Sequence, residues 1–308
     1  MDMTDAARLK GVMAAALTAF NDDLSIDTAA TLAHARWLLA NGCDGVLLFG
    51  TTGEGNSLSA AERMDFMDAL AASDLPMDKL MMGTGCCSFP ETVALTEKSL
   101  EIGIESVLML PPFYYKSPSD DGLFAHFSRV VEDVASSRAR FYLYHFPQMS
   151  AVPFSHDLIA RLLAAFPGQF CGLKDSSGDF DNMQAMAKKF PGFDVFAGTE
   201  RYLLDMLRAG GAGTITATGN VTSTLCGAVY ANWQGAEADR LQDQLTEQRL
   251  ALQNYPAAAG LKELLARESG RDGWRNLRPP FLPLARDKAD QLVADMAAIN
   301  FTLPSMPG

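Results

Sequence analysis

The sequence predicts an α/β fold, a (β/α)8 barrel followed by a helical subdomain, on three observations. Eight short apolar runs lie between residues 11 and 218 of the 308-residue chain. Five of them follow an amphipathic segment and a glycine break. Beyond about Leu225 the strand signals stop. The runs fall at roughly 20–35 residue intervals, close to the ~30 residues per unit of a barrel of about 250 residues. An open doubly wound sheet is the alternative, but evenly repeated units favour closure.

In chain order the first run is GVMAAALTAF (11–20), and the second closes the unit ANG-CDGVLLFG (40–50). KLMMGTG (79–85), EIG-IESVLML (101–110) and ARFYLYHF (139–146) follow. FPG-QFCGLKD (166–175), FPG-FDVFAG (190–198) and AGG-AGTITAT (209–218) complete the set. Glycine just past a periodic stretch ends a helix, because it alone enters the left-handed conformation without penalty. Runs rich in Val, Ile, Leu and Phe suit strands buried on both faces, as in a parallel sheet. Segments 235–254, 257–269 and 286–299 carry helical periodicity, separated by Asn254-Tyr255-Pro256 and by the Pro279-Pro280 stretch. The expected division is therefore a barrel over 1–224 and a helical subdomain over 225–308.

A 48% apolar content is enough for a packed core, and a net charge of −12 gives no footprint for a phosphate backbone. Nucleic acid is not an expected partner, nor is an anionic membrane surface, since Lys and Arg are scattered. No apolar run approaches the ~18–20 residues that span a bilayer. The start, MDMTDAARLK, carries aspartates where a signal peptide needs a basic segment, and five cysteines form no C-x-x-C pair. A cytoplasmic protein is expected. The four histidines show no H-x-H or H-E-x-x-H spacing, so no metal site is signalled. No cofactor is expected either.

Residues at the C-terminal ends of barrel strands face the active site. Those ends supply Thr18, Gly50-Thr51-Thr52-Gly53-Glu54, Tyr144, Lys174, Gly198 and Ile215. A lysine held inside an apolar barrel loses hydration, which disfavours an ammonium and prepares an amine for attack on a carbonyl. The alternative for Lys174 is a strand-end lysine whose head stays in water. Tyr144 ends the preceding strand, within reach of Lys174, where a phenol can shuttle protons. It is otherwise an ordinary packed aromatic. The run GTTGEG (50–55) lacks the Lys-Ser/Thr of a P-loop but offers two hydroxyls and backbone donors to a small carboxylate. It is otherwise a glycine-rich turn. Ser59-Ala-Ala-Glu62 behind it matches a capping box. Tyr114-Tyr115, after Pro111-Pro112, are either loop packing or a displayed pair.

Taken together, GTTGEG (50–55), PPFYY (111–115), LYHFP (143–147), GLKDSSGD (172–179), AGTE (197–200) and GGAGTITATGNV (210–221) resemble the dihydrodipicolinate synthase / N-acetylneuraminate lyase family. The resemblance implies a Schiff base between Lys174 and pyruvate, Tyr144 as acid and base, and Thr51 in a proton relay. It implies that Thr51 and Thr52, beside Gly50, bind the 2-oxo-acid carboxylate. Tyr115 matches a tyrosine lent by a neighbouring subunit, and a homotetramer built as a dimer of dimers is the implied assembly. Gly198 and Ile215 match positions that line the pyruvate pocket.

Two departures bear on the second substrate, an aldehyde. The synthase branch carries arginine where this chain has Met149, and a thioether cannot hold a carboxylate as a guanidinium does. The sialic-acid lyase branch places hydroxyl and acidic groups where this chain has Ala217 and Glu200. Glu200, Ser176 and His145 stand as candidate partners for substrate hydroxyls, and Arg201 is either an anion partner or a surface charge. The expected function is a class I aldolase or lyase acting on a 2-keto-3-deoxy sugar acid. Dihydrodipicolinate synthase, a keto-deoxy sugar acid dehydratase and a catalytically silent 2-oxo-acid sensor are the alternatives.

Overall fold

A computed structural model describes residues 8–306, so the first seven residues and any targeting signal in them lie outside it. Eight parallel strands close in sequential order: β1 (Gly11–Ala15), β2 (Gly45–Leu48), β3 (Leu80–Gly83), β4 (Ser106–Met109), β5 (Arg140–His145), β6 (Phe170–Asp175), β7 (Asp194–Ala197) and β8 (Gly213–Thr216). β8 pairs with β1, which completes the predicted barrel. The first apolar run is longer than its strand. Residues past Ala15 leave the barrel wall, and Phe20 forms an antiparallel bridge with Ile26.

The outer helices begin with α1 (Thr28–Ala40), α2 (Ala60–Ala71), α3 (Phe89–Glu101), α4 (Asp120–Val134), the one-turn α5 (Pro147–Ser150) and α6 (His156–Ala165). They continue as α7 (Phe180–Lys189), α8 (Leu203–Arg208) and α9 (Gly219–Asn232). Local chemistry sets their ends. Asp27, Ser119, Ser155 and Asp179 each cap a helix by accepting a backbone N–H, while Ser59 and Glu62 form the reciprocal capping box. Gly42, Gly103, Gly168, Gly192 and Gly210, the five predicted breaks, all adopt positive φ.

The chain ends in α10 (Ala238–Leu252), α11 (Ala257–Ser269) and α12 (Arg286–Ala298). Helix α9 runs across the expected boundary at Leu225 and packs on β1, so the barrel's last helix ends at Asn232. Leu261, Leu264 and Leu265 of α11 share a core with Leu17, Ala19 and Val221, which fixes the C-terminal helices over the strand ends. Among the described residues no helix is long and apolar enough to cross a membrane.

Candidate active site

Strand residues point alternately to opposite faces of a sheet. On β5, Tyr142 and Tyr144 join the lumen cluster with Met13, Leu47, Phe196 and Ile215. Phe141 and Leu143 pack outward among the helices. β6 starts in the same phase, with Phe170 outward and Cys171 inward. The ladder then slips: Phe141 pairs with Phe170, but Tyr142 pairs with Gly172. This β-bulge reverses the alternation, so that Leu173 points outward and Lys174 inward. Gly172 is required there, because a Cβ would lie 2.2 Å from the Asp194 carbonyl oxygen and 2.8 Å from the Tyr142 ring.

As a result Tyr144 and Lys174 are register partners across β5 and β6. Lys174 Nζ lies 4.4 Å from the centre of the Tyr144 ring. Both residues are 4% exposed. A buried lysine head group thus stands over the ring of a buried tyrosine, an arrangement that brings an amine and a phenol-bearing side chain to one place in the lumen.

The loop after β2 lies across the same space. Gly50 and Thr51 line a small cleft with Leu110 and Tyr144. The loop is a tight turn: Glu54 N donates to Thr51 O at 3.1 Å, and Gly55 N donates to Gly50 O at 3.1 Å. Phe49 and Glu54 both take left-handed conformations, at φ 56° and 55°. The Thr18 hydroxyl donates to Gly53 O at 2.7 Å. Thr52 is half-buried on the same loop.

Gly198, just after β7, donates its N–H to Asp175 O at 2.6 Å. Ser176, just after β6, donates its N–H to His145 O at 2.8 Å. Ile215 is fully buried in the lumen. Ser176 and Gly198 therefore stand at the exits of Lys174's own strand β6 and of its neighbour β7, and Ile215 within β8 beyond them.

His145 and Glu200 lie elsewhere. His145 is the outward neighbour of Tyr144, and its Nδ1 accepts the Phe154 N–H at 3.1 Å. Burial pushes its pKa below the ordinary imidazole value, against the opposing charge of Asp175. Glu200 is fully buried, and both its carboxylate oxygens are occupied within the chain. Oε2 accepts from the Thr216 hydroxyl at 2.5 Å, and Oε1 from the Thr218 and Thr222 hydroxyls. Arg249 Nε stands 3.8 Å from Oε2. Arg201 is exposed beside the Tyr202 ring.

Tyr115 and Met149 are both exposed, at 79% and 60%. Tyr115 packs edge-on against Tyr114, with ring centres 5.4 Å apart, and both rings project from the loop after β4. The alternative of a buried loop-packing cluster is thereby excluded within the single chain. Met149 lies on α5, which is tied to the loop after β6 by the Gln148 side-chain amide donating to Ser177 O at 2.6 Å.

One buried feature has no counterpart in the sequence reading. Glu54, in the loop after Thr52, forms an ion pair with Lys262 of α11 at 2.6 Å, and neither side chain is exposed to solvent. The only local sign of it is a lysine inside a stretch of α11 that is buried from Ala259 to Ala266.

The profile of the Dihydrodipicolinate synthetase family matches residues 8–299. The chain belongs to this family. A DapA-like lyase of Chloroflexus aurantiacus is 35% identical over 94% of this chain and 96% of its own length. The 4-hydroxy-tetrahydrodipicolinate synthase of Agrobacterium fabrum is 31% identical over 89% of this chain and 92% of its own. The crystal structure of dihydrodipicolinate synthase from Agrobacterium tumefaciens superposes with a TM-score of 0.87 at 31% identity, covering 94% of this chain and 99% of that one. Members of the dihydrodipicolinate synthetase family are pyruvate-dependent lyases that form a lysine Schiff base, and this chain is an enzyme of that class.

Proposed function

We propose that the protein is a class I aldolase that joins pyruvate to an aldehyde, or splits the product, with a 2-keto-3-deoxy sugar acid as its substrate. The observation that carries this reading is the Lys174 amine held 4.4 Å from the Tyr144 ring centre inside the barrel. The Lys174 amine adds to C2 of pyruvate, and Tyr144 delivers the proton that lets the carbinolamine lose water. Loss of a C3 proton from the resulting iminium leaves an enamine, whose C3 adds to the aldehyde carbon. The new alkoxide takes a proton through Tyr144 and Thr51, and water releases the product from Lys174. Cleavage is the same sequence reversed. Thr51 and Thr52 hold the 2-oxo-acid carboxylate, and Gly198 and Ile215 shape the pyruvate pocket. Tyr115, displayed away from its own barrel, extends the relay of a neighbouring copy in a homotetramer.

Met149 supports a sugar-acid aldehyde as the second substrate, since an exposed thioether at that place offers no bidentate partner to a carboxylate. Dihydrodipicolinate synthesis is the second reading, favoured by the 31% identity to the Agrobacterium fabrum synthase. Incubation with pyruvate and borohydride tests the mechanism: the reduced adduct is expected on Lys174 and is absent from a folded Lys174→Ala variant. An adduct on another lysine overturns it. A panel of keto-deoxy sugar acids, followed by pyruvate release, and condensation with aspartate semialdehyde separate the two readings.

A further inference from the structure

The loop that carries Thr51 and Thr52 ends in a residue whose side chain leaves the barrel. Glu54 Oε1 accepts from Lys262 Nζ at 2.6 Å, and Glu54 Oε2 accepts the Arg278 backbone N–H at 2.9 Å. Lys262 Nζ also donates to Asn276 O at 2.8 Å and lies 4.4 Å from the centre of the Phe20 ring. Arg278 also donates to Ser57 O, just past the same loop, at 2.8 Å, and to Leu24 O in the loop after β1 at 2.7 Å. The Glu54 carboxylate is thus gripped from two points of the C-terminal region, by Lys262 and by the Arg278 backbone, and Asn276 O in turn holds the Lys262 ammonium. Its backbone N–H closes the turn on Thr51 O at 3.1 Å, so a displacement of Glu54 moves Thr51 directly.

We infer that Glu54 and Lys262 are positioning residues for the 2-oxo-acid carboxylate, the buried pair setting the placement of the Thr51–Thr52 loop from the C-terminal helices. The inference rests on the reading of Thr51 and Thr52 as carboxylate partners. A buried ion pair is a poor source of stability, because taking two charges out of water costs about as much as their attraction returns. Apolar side chains of similar volume fill such a space as well. What they do not supply is direction: two charge-assisted bonds, one to each carboxylate oxygen, fix where Glu54 sits and how it is turned. Glu54 needs such fixing because it holds a left-handed conformation, at φ 55°, that a non-glycine residue adopts only under constraint. Burial lowers the Lys262 pKa, and the neighbouring Glu54 carboxylate opposes that shift.

The test separates placement from stability with two variants. Lys262→Met leaves a buried carboxylate without its cation and lowers the melting temperature. Glu54→Gln with Lys262→Met removes both charges and recovers much of that loss. In both variants the pyruvate concentration that half-saturates borohydride trapping at Lys174 is expected to rise about tenfold or more, equivalent to about 1.4 kcal/mol. Because Thr51 also stands in the proposed proton relay, turnover at saturating pyruvate is expected to fall as well, and the rise in half-saturation is what separates lost placement of the carboxylate site from a general loosening of the fold. Lys262→Gln, which keeps a donor for Glu54, should recover part of the wild-type half-saturation. A double variant with wild-type half-saturation overturns the inference whatever its melting temperature, as does a variant that loses turnover with unchanged pyruvate binding. Failure to trap pyruvate on Lys174 in the wild type would instead overturn the proposed function.

Discussion

His34 Nε2 and Asn220 Oδ1 meet 2.7 Å apart in the buried seam between α1 and α9. The same Asn220 oxygen accepts the Leu17 N–H, and the Asn220 amide donates to Ala15 O and Ala217 O. One side chain therefore joins the exits of β1 and β8 to an outer helix. His34 Nδ1 has no hydrogen-bond partner, so protonation there buries a donor with nothing to accept it.

Burial lowers the His34 pKa from 6.5 to about 4. The unfolded chain then binds the proton more tightly than the folded one. The stability from a neutral His34 is complete above pH 6.5 and is lost as pH falls toward 4, by up to about 3 kcal/mol. Urea unfolding across that window should show the loss. His34→Gln, which keeps a donor to Asn220, should flatten it. An identical slope in the variant would refute the assignment.

Tyr115→Phe removes only a hydroxyl from an exposed ring. We expect turnover to fall by about 10²-fold or more, since the proposed relay would lose one of its proton-transfer groups. Mixing this variant with Lys174→Ala subunits should restore part of the activity once exchange is shown, because mixed interfaces then hold sites with both groups. Exchange without recovery would place Tyr115 in its own subunit's site.

Met149→Arg tests the second substrate. A bidentate guanidinium at this position should raise kcat/KM for aspartate semialdehyde by about one to two decades and lower it for the sugar-acid reaction. Efficient condensation by the wild type would make dihydrodipicolinate synthesis the function.

Gly198→Ala tests the packing of the strand ends. A Cβ there would lie 2.1 Å from Ser176 Oγ and 2.7 Å from Asp175 O, and the backbone oxygen cannot swing aside. Destabilisation of about 1–3 kcal/mol is expected in urea or thermal unfolding. A variant as stable as wild type would mean that β6 and β7 separate more easily than their contact implies.

Features decided by neighbouring residues were legible in the sequence. The five glycine breaks, the Ser59–Glu62 capping box and the eight strands depend on local conformation and on apolar patterning. What escaped depends on distant partners. Plain alternation read along β6 from Cys171 turns Lys174 toward the helices, and only the slip against β5 reverses it. The Glu54–Lys262 pair joins residues 208 positions apart, and no periodicity announces it. Glu200 reads as an acid at a strand mouth, yet the hydroxyls of Thr216, Thr218 and Thr222 claim it from the far side of β8.

The slip at Cys171 makes β6 a problem of parity. A strand of the same length with unbroken alternation would aim Leu173 and Asp175 at the lumen, placing an acid where the amine now stands. By absorbing one surplus residue near its entry, the strand uncouples its two ends. The lower half can lose one residue in exchange for the bulge, while the upper half keeps Lys174 opposite Tyr144. Loss of the one surplus residue would straighten the lower strand without changing which way Lys174 faces, so the orientation of the Lys174–Tyr144 pair is set above the bulge.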